Sequence, residues 1–164
     1  MKLSTPGETG PEYQEDRHQR VHPDFPRLGV GVLIFKQERC LLIQRGQEPN
    51  KGKWTLPGGL VKVGETLVQA AARELEEECR VQARLQSDPN LFEYIQSEGG
   101  RTLYHYVIAD FVGEYLDGEL HAGSDAADAA WIAMEELDRL ELTPGLREFI
   151  SKAQTRRQTE RHLG

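Results

Sequence analysis

The run Arg73-Glu74-Leu75-Glu76-Glu77-Glu78 restricts this chain more than any other stretch. It falls where a helix is predicted. Thr66, with Gln69 three residues on, has the form of a capping box, and Val68, Ala71, Ala72, Leu75 and Cys79 follow at helical spacing. At about 100° per residue these five apolar positions occupy an arc of about 100°, the stripe expected to be buried. Glu74, Glu77 and Glu78 share one flank of the stripe, Arg73 stands at its margin, and Glu76 points to the other side. Carboxylates at i, i+3 and i+4 repel by about 0.2–0.5 kcal/mol per pair even when exposed. One guanidinium bridging to Glu77 does not balance three anions, whereas a hard divalent cation with oxygen ligands does. Mg2+ takes one or two carboxylates, keeps waters and shares a substrate phosphate, so this face is a candidate platform for phosphate chemistry. A solvated acidic surface is the commoner meaning of a Glu-rich run, and the helix alone leaves both readings open.

Around this helix the chain reads as one domain. Residues 1–26 carry Pro6, Pro11, Pro23 and Pro26 among many charges and few large apolar groups, the composition of a flexible N-terminal arm. Gly29 to Phe35 and Cys40 to Gln44 are short apolar runs joined by a charged turn, which predicts a hairpin of buried strands. Trp54 to Val61 holds a proline and two glycines in an extended stretch, a place where backbone approaches something closely. Past the acidic helix, Glu98-Gly99-Gly100-Arg101 turns into a long strand over Thr102 to Val112, Asp117-Gly118 is a further turn, and a last strand surrounds Trp131. Glu135 to Leu140 and Pro144 to about Arg157 read as helical, with a polar C-terminal tail over 153–164. The order β-β-α-β-β-α predicts an α/β fold, a mixed β-sheet with helices packed on it.

The residues before the acidic run sharpen this picture. Gly59, five residues, Glu65, seven residues, Arg73-Glu74-Leu75, one residue, Glu77-Glu78, one residue, then Arg80-Val81 resembles the Nudix hydrolase signature G-x5-E-x7-R-E-U-x-E-E-x-G-U, U being bulky and apolar. One defined position departs: Arg80 stands where the family has glycine. The resemblance implies a Nudix-type α/β/α sandwich over residues 27–152. It also implies metal-binding roles for Glu74, Glu77 and Glu78, with the Gly59 carbonyl joining the metal shell, and a structural brace between Arg73 and Glu65. The cofactor implied is Mg2+, with Mn2+ able to substitute. The reaction implied is hydrolysis of a nucleoside diphosphate linked to another moiety, with water activated by the metal and a carboxylate attacking phosphorus. Arg73, Glu74 and Glu78 are then the catalytic candidates, Glu78 and Glu74 as general base, with Glu98 a candidate outside the motif. A glycine at position 80 suits a left-handed helix cap, where a Cβ costs about 1 kcal/mol. The departure is therefore expected to affect stability and not ligation. Leu120 to Asp125 and Ala130-Trp131 resemble, more loosely, small bacterial ADP-ribose pyrophosphatases.

Arg45, Lys51 and Lys53 cluster in the loop before the signature; Arg45 and Lys53, with Glu98, are the expected substrate-binding residues. The net charge of −7 argues against a nucleic-acid polymer as partner, no run is long and apolar enough to span a bilayer, and the cytoplasm is the expected compartment. Cys40 and Cys79 make no disulfide framework, no histidine pair has zinc-ligand spacing, and Gly46 to Trp54 lacks the spacing and hydroxyl of a P-loop. Trp54 can stack on a base and Tyr104, His105 and Tyr106 can line a cleft, but a core or packing role is the expected one for these residues. The expected partner is a small nucleotide-type substrate, and a homodimer is compatible. The competing function is a nucleotide sensor of the same fold without turnover; intact Glu74, Glu77 and Glu78 favour the enzyme.

Overall fold

The computed structural model describes residues 20–163. The expected arm over 1–26 therefore lies, for residues 1–19, outside the described residues. Of the remainder, His22 is held on the sheet, its backbone N–H donating to the Leu103 carbonyl at 2.9 Å.

Strand β1 (Arg27–Lys36) is central, and seven consecutive residues from Gly29 to Phe35 are buried. A strand covered on both faces needs side chains that are apolar throughout, which is what the run GVGVLIF provides. β1 runs parallel to β7 (Arg101–Asp117) and antiparallel to β2 (Arg39–Arg45) and β4 (Gly58–Leu60). The expected hairpin holds only at its turn: β1 and β2 pair at Phe35–Cys40 and Lys36–Arg39, then diverge so that β4 pairs with Gly29 to Gly31. β3 (Trp54–Thr55) and β8 (Ala126–Ala133) pair with β2, while β5 (Gln82–Leu85) and β6 (Asn90–Glu98) pair with β7. The sheet is mixed, as expected.

Helices cover both faces. Even-numbered residues of β1 (Val30, Val32, Ile34) pack with Leu41, Ile43 and Phe111 against α1 (Leu67–Cys79). Odd-numbered residues (Leu33, Phe35) pack with Leu42, Leu56 and Ile132 against a 3-10 helix (Met134–Arg139) and α2 (Leu146–Leu163). The polar end is not a tail: α2 continues to Leu163. Arg157 is the reason, being 6% exposed, chelated by the Glu114 carboxylate, bonded to the Gln37 carbonyl at 2.9 Å and lying 4.8 Å from the Phe35 ring centroid. A buried guanidinium with anion, carbonyl and ring partners is a well-satisfied group, and no apolar periodicity announces it.

α1 begins as expected, Thr66 and Gln69 forming both bonds of a capping box. Its buried face is turned toward the glutamates. Val68 and Ala72 are exposed, and Leu67, Ala70, Ala71, Leu75 and Cys79 face inward with Glu74 and Glu78 at least half-covered among them. The helix ends on Arg80 at φ 55°, ψ 34°, the left-handed conformation, with its N–H donating to the Glu76 carbonyl at 2.9 Å. The Cβ strain expected there is thus present. Arg80→Gly should raise Tm by an amount corresponding to about 1 kcal/mol and leave turnover unchanged, measured by thermal melts beside hydrolysis assays. An inactive parent revived by the substitution would contradict this.

Candidate active site

The site is assembled on β4, the two-glycine stretch between Pro57 and Leu60. The Gly58 N–H donates to Glu78 Oε2 at 2.9 Å. At Gly59 the Glu74 carboxylate fills the space a Cβ would occupy, its Oε2 only 2.7 Å from that point. A side chain at either glycine is excluded, since one at Gly58 would enter the Val30 carbonyl. Glycine here is required by close approach, not by turn conformation.

Arg73 organises the acidic groups. Its Nε and NH2 grip Glu65 at 2.5 and 3.0 Å, its NH1 reaches Glu74 at 2.7 Å and Glu77 at 3.1 Å, and NH2 also donates to the Leu60 carbonyl at 3.1 Å. The fork thus ties the end of β4, the loop before α1 and the helix together. Glu65 is held down at about 2, first by the Arg73 hydrogen bond and then by the Lys62 N–H at 2.9 Å. Glu74 and Glu78 behave oppositely. Burial raises the Glu74 acid against the pull of Arg73, and burial pushes Glu78 up to about 7 against the Gly58 N–H, with Glu74 and Asp125 adding repulsion. Glu77 is the most exposed of the motif's glutamates, at 53%.

A cation fits this donor set chemically: of the two desolvated carboxylates, Glu74 has one contact from a guanidinium also committed to Glu65 and Glu77, and Glu78 has the Gly58 N–H and no guanidinium contact among the described residues. Among the described residues no three carboxylate, imidazole or thiol groups converge enough to enclose an ion. A metal at Glu74 and Glu78 would accordingly keep water and take substrate oxygens, the habit of Mg2+.

The expected phosphate cations lie in the loop after β2. Arg45 is half-buried, its Nε donating to the Pro49 carbonyl at 2.6 Å and its N–H to the Lys53 carbonyl at 2.9 Å. Burial lowers its proton affinity, while Tyr106 and Glu78 raise it, so Arg45 lies within electrostatic reach of the acidic centre. Lys53 is half-buried in the same loop. Glu98 stands exposed at the end of β6, opposite Arg101, and no described contact brings it to the carboxylates. Asp125 was not singled out for chemistry. It precedes β8, next to the Ala126–Arg45 pair, and the Gly123 N–H of the same loop donates to the Glu78 carbonyl at 2.7 Å. A lone aspartate in a loop carries no periodic signal; only the fold brings it near α1.

The raised acid of Glu78 has a consequence for stability. Between the unfolded glutamate value near 4.5 and the folded value of about 7 the native state holds a proton that the unfolded chain releases. Stability therefore falls as pH rises through that window, and the whole penalty is present above it. In metal-free protein at pH 8, Glu78→Gln should raise Tm by about 5 °C and flatten the decline of Tm between pH 5 and pH 8. An unchanged Tm profile in thermal melts would contradict the desolvation described here.

Residues 25–153 match the family model for the NUDIX domain. Over 115 residues the chain is 34% identical to the ADP-ribose pyrophosphatase of Methanocaldococcus jannaschii, a match covering 70% of this chain and 66% of that protein. It is 28% identical over 143 residues to the human 8-oxo-dGDP phosphatase NUDT18, covering 87% of this chain and 43% of that one. The chain thus spans less than two thirds of these curated relatives. A solved structure, the MutT NUDIX hydrolase from Burkholderia pseudomallei, superposes with a TM-score of 0.65 at 30% identity, over 76% of this chain and 95% of that chain. Family model, relative and structure agree with one another, and the chain belongs to the NUDIX domain family.

Proposed function

We propose that this domain is a divalent-metal-dependent pyrophosphohydrolase that cleaves a nucleoside diphosphate linked to another moiety, of the ADP-ribose kind or a nucleoside triphosphate. The observation that carries the reading is the pair of desolvated carboxylates, Glu74 and Glu78, held against the backbone of Gly58 and Gly59, with the Arg73 guanidinium reaching Glu74. Similarity to an enzyme described as an ADP-ribose pyrophosphatase supports the substrate class.

In this reading Glu74 and Glu78, with Glu77 and the Gly59 carbonyl, hold Mg2+ or Mn2+. The metal supplies Lewis-acid activation of water and screens the charge of the diphosphate. Arg73 and Glu65 keep the carboxylates in place. Glu78, fixed beside Glu74 by the Gly58 N–H, is the residue we assign to take the proton of the attacking water. Arg45 and Lys53 supply the cations that receive the phosphates, the half-buried guanidinium the more strongly because it is less hydrated. Glu98, at the exposed hairpin end, is assigned at most to the substrate's outer moiety. No helix of the described residues is long and apolar enough to cross a membrane, and a small nucleotide in the cytoplasm is the partner this reading implies. A homodimer is supported by the edge strand β6, which among the described residues pairs only with β7. The sensor alternative would leave the desolvated carboxylates without a task.

A panel of ADP-ribose, nucleoside triphosphates including oxidised forms, and dinucleoside polyphosphates, assayed for phosphate release with Mg2+ or Mn2+, tests this directly. At least one member should be turned over, and Glu78→Gln should lower kcat on it by about 100-fold or more. A variant as fast as the parent would remove Glu78 from the mechanism, and a parent that binds a nucleotide but hydrolyses none would favour the sensor.

A further inference from the structure

The connection between β7 and β8, residues 118–125, lies against the end of α1 that carries Glu77 and Glu78. Part of this contact is a helix cap. The carbonyls of a helix's last turn lack partners within the helix, and His121 and Gly123 donate their N–H groups to those of Cys79 and Glu78 at 3.1 and 2.7 Å. A cap needs only these donors. The segment fits its neighbours more closely than capping requires.

Gly123 opens the turn Gly123-Ser124-Asp125-Ala126, which the Ala126 N–H closes on the Gly123 carbonyl at 3.3 Å. At one end of the turn, a Cβ on Gly123 would lie 2.8 Å from the Glu77 carbonyl oxygen and 2.9 Å from the Glu78 Cα. At the other end Ala126 pairs with Arg45 of β2, and a Cβ on Gly46 would lie 2.9 Å from the Asp125 carbonyl oxygen. Neither glycine has the positive φ that would itself call for glycine. Both are needed for room. Backbone meets backbone at each end, with no flexible side chain between to absorb a change.

The turn is thus a spacer between two groups distant in the chain. Glu78 is fixed on its other side by the Gly58 N–H at 2.9 Å, and Arg45 by the Pro49 carbonyl at 2.6 Å. α1 is the firmer neighbour: Leu75 and Cys79 anchor it in the core, whereas Ser124 and Asp125 are exposed. A side chain at Gly123 therefore displaces the turn, and with it the Ala126–Arg45 pair, more than the helix. A diphosphate that meets Arg45 at one end and a metal at Glu74 and Glu78 at the other must span the distance the turn sets. A misplacement of about 1 Å between such groups costs about 100-fold in rate.

We propose that Gly123 is a positioning residue: with Gly46 it makes the turn 123–126 a backbone gauge that holds Arg45 at the separation from Glu78 at which one diphosphate engages both the guanidinium and a metal at the carboxylates. This rests on the pyrophosphohydrolase reading for the diphosphate and not for its cleavage. The turn then supplies the mutual assistance of metal and diphosphate, and neither affinity alone.

The test is calorimetric titration of the full chain with α,β-methylene-ADP, a nucleoside diphosphate that resists hydrolysis, without Mg2+ and at saturating Mg2+, and with Mg2+ alone. Hydrolysis of the substrate panel is followed in parallel. Mg2+ should tighten the parent's nucleotide affinity about tenfold or more. In Gly123→Ala and in Gly46→Ala that gain should shrink to about threefold or less, with the affinities for Mg2+ alone and for nucleotide alone within about twofold of the parent. In both, kcat should fall by about tenfold or more, and by more than KM rises. Ser124→Ala, a truncation in the same turn, should match the parent.

A parent without the gain overturns the proposal. So do variants that keep the parent's gain and kcat whatever their Tm, and a Ser124→Ala that falls with them. Loss of affinity for Mg2+ alone also overturns it, since Gly123 would then support the metal carboxylates and set no separation. If Gly123→Ala does not fold, Gly46→Ala decides by the same criteria. Turnover by the parent with an unmoved gain in the variants removes the gauge alone. A gain that collapses in the variants, without turnover of any panel member by the parent, leaves the gauge standing and removes the hydrolase reading.

Discussion

The arrangement depends on two glutamates of one helix lying against a strand that has no side chains to keep them away. Gly58 offers Glu78 an N–H and Gly59 offers Glu74 the room of a missing Cβ. Burial here withdraws both carboxylates from water and raises the free energy of their charged forms, and the Gly58 N–H offsets part of that cost for Glu78. Arg73 compensates only partly, because its donors are divided among Glu65, Glu74, Glu77 and the Leu60 carbonyl. The site is a place where the fold concentrates negative charge and leaves part of it uncompensated, and a bound dication beside a diphosphate resolves that imbalance.

The rest of the molecule serves this contact. α1 is presented by its capping box at Thr66 and ends at the left-handed Arg80, and the loop that follows β7 returns to it, His121 and Gly123 donating to the carbonyls of Cys79 and Glu78 at 3.1 and 2.7 Å. β1 is common to both layers: Val30 and Val32 lie on the side that packs on α1, while on the opposite side the Asp110 carboxylate and Leu56 fill the space over Gly31.

What the sequence made legible follows from how each signal is carried. Spacing along one helix is local, so the grouping of Glu74, Glu77 and Glu78 and the helix start at Thr66 could be read directly. The spaced motif carried the sandwich, because its glycine, glutamates and arginine mark contacts between elements. Periodicity misplaced the helix's buried face at Val68 and Ala72, since an apolar count takes no account of glutamates drawn inward by a backbone N–H. Arg157, Asp110 and Asp125 were invisible for a related reason: each acquires its environment from strands or loops distant in the chain. A basic C-terminal stretch and a solvent-exposed tail look alike until Glu114 is found opposite Arg157.

The central claim is that Glu78 is kept partly protonated near neutrality by burial beside Glu74, and that a divalent cation displaces that proton. Counting protons during binding tests it most directly, through calorimetric titration of the protein with Mg2+ in buffers of different ionisation enthalpy. At pH 6.5 the account requires release of about 0.8 proton per metal bound, falling toward zero at pH 8.5. Binding heats that do not depend on the buffer at pH 6.5 would show that the carboxylates are already fully charged, and would contradict it.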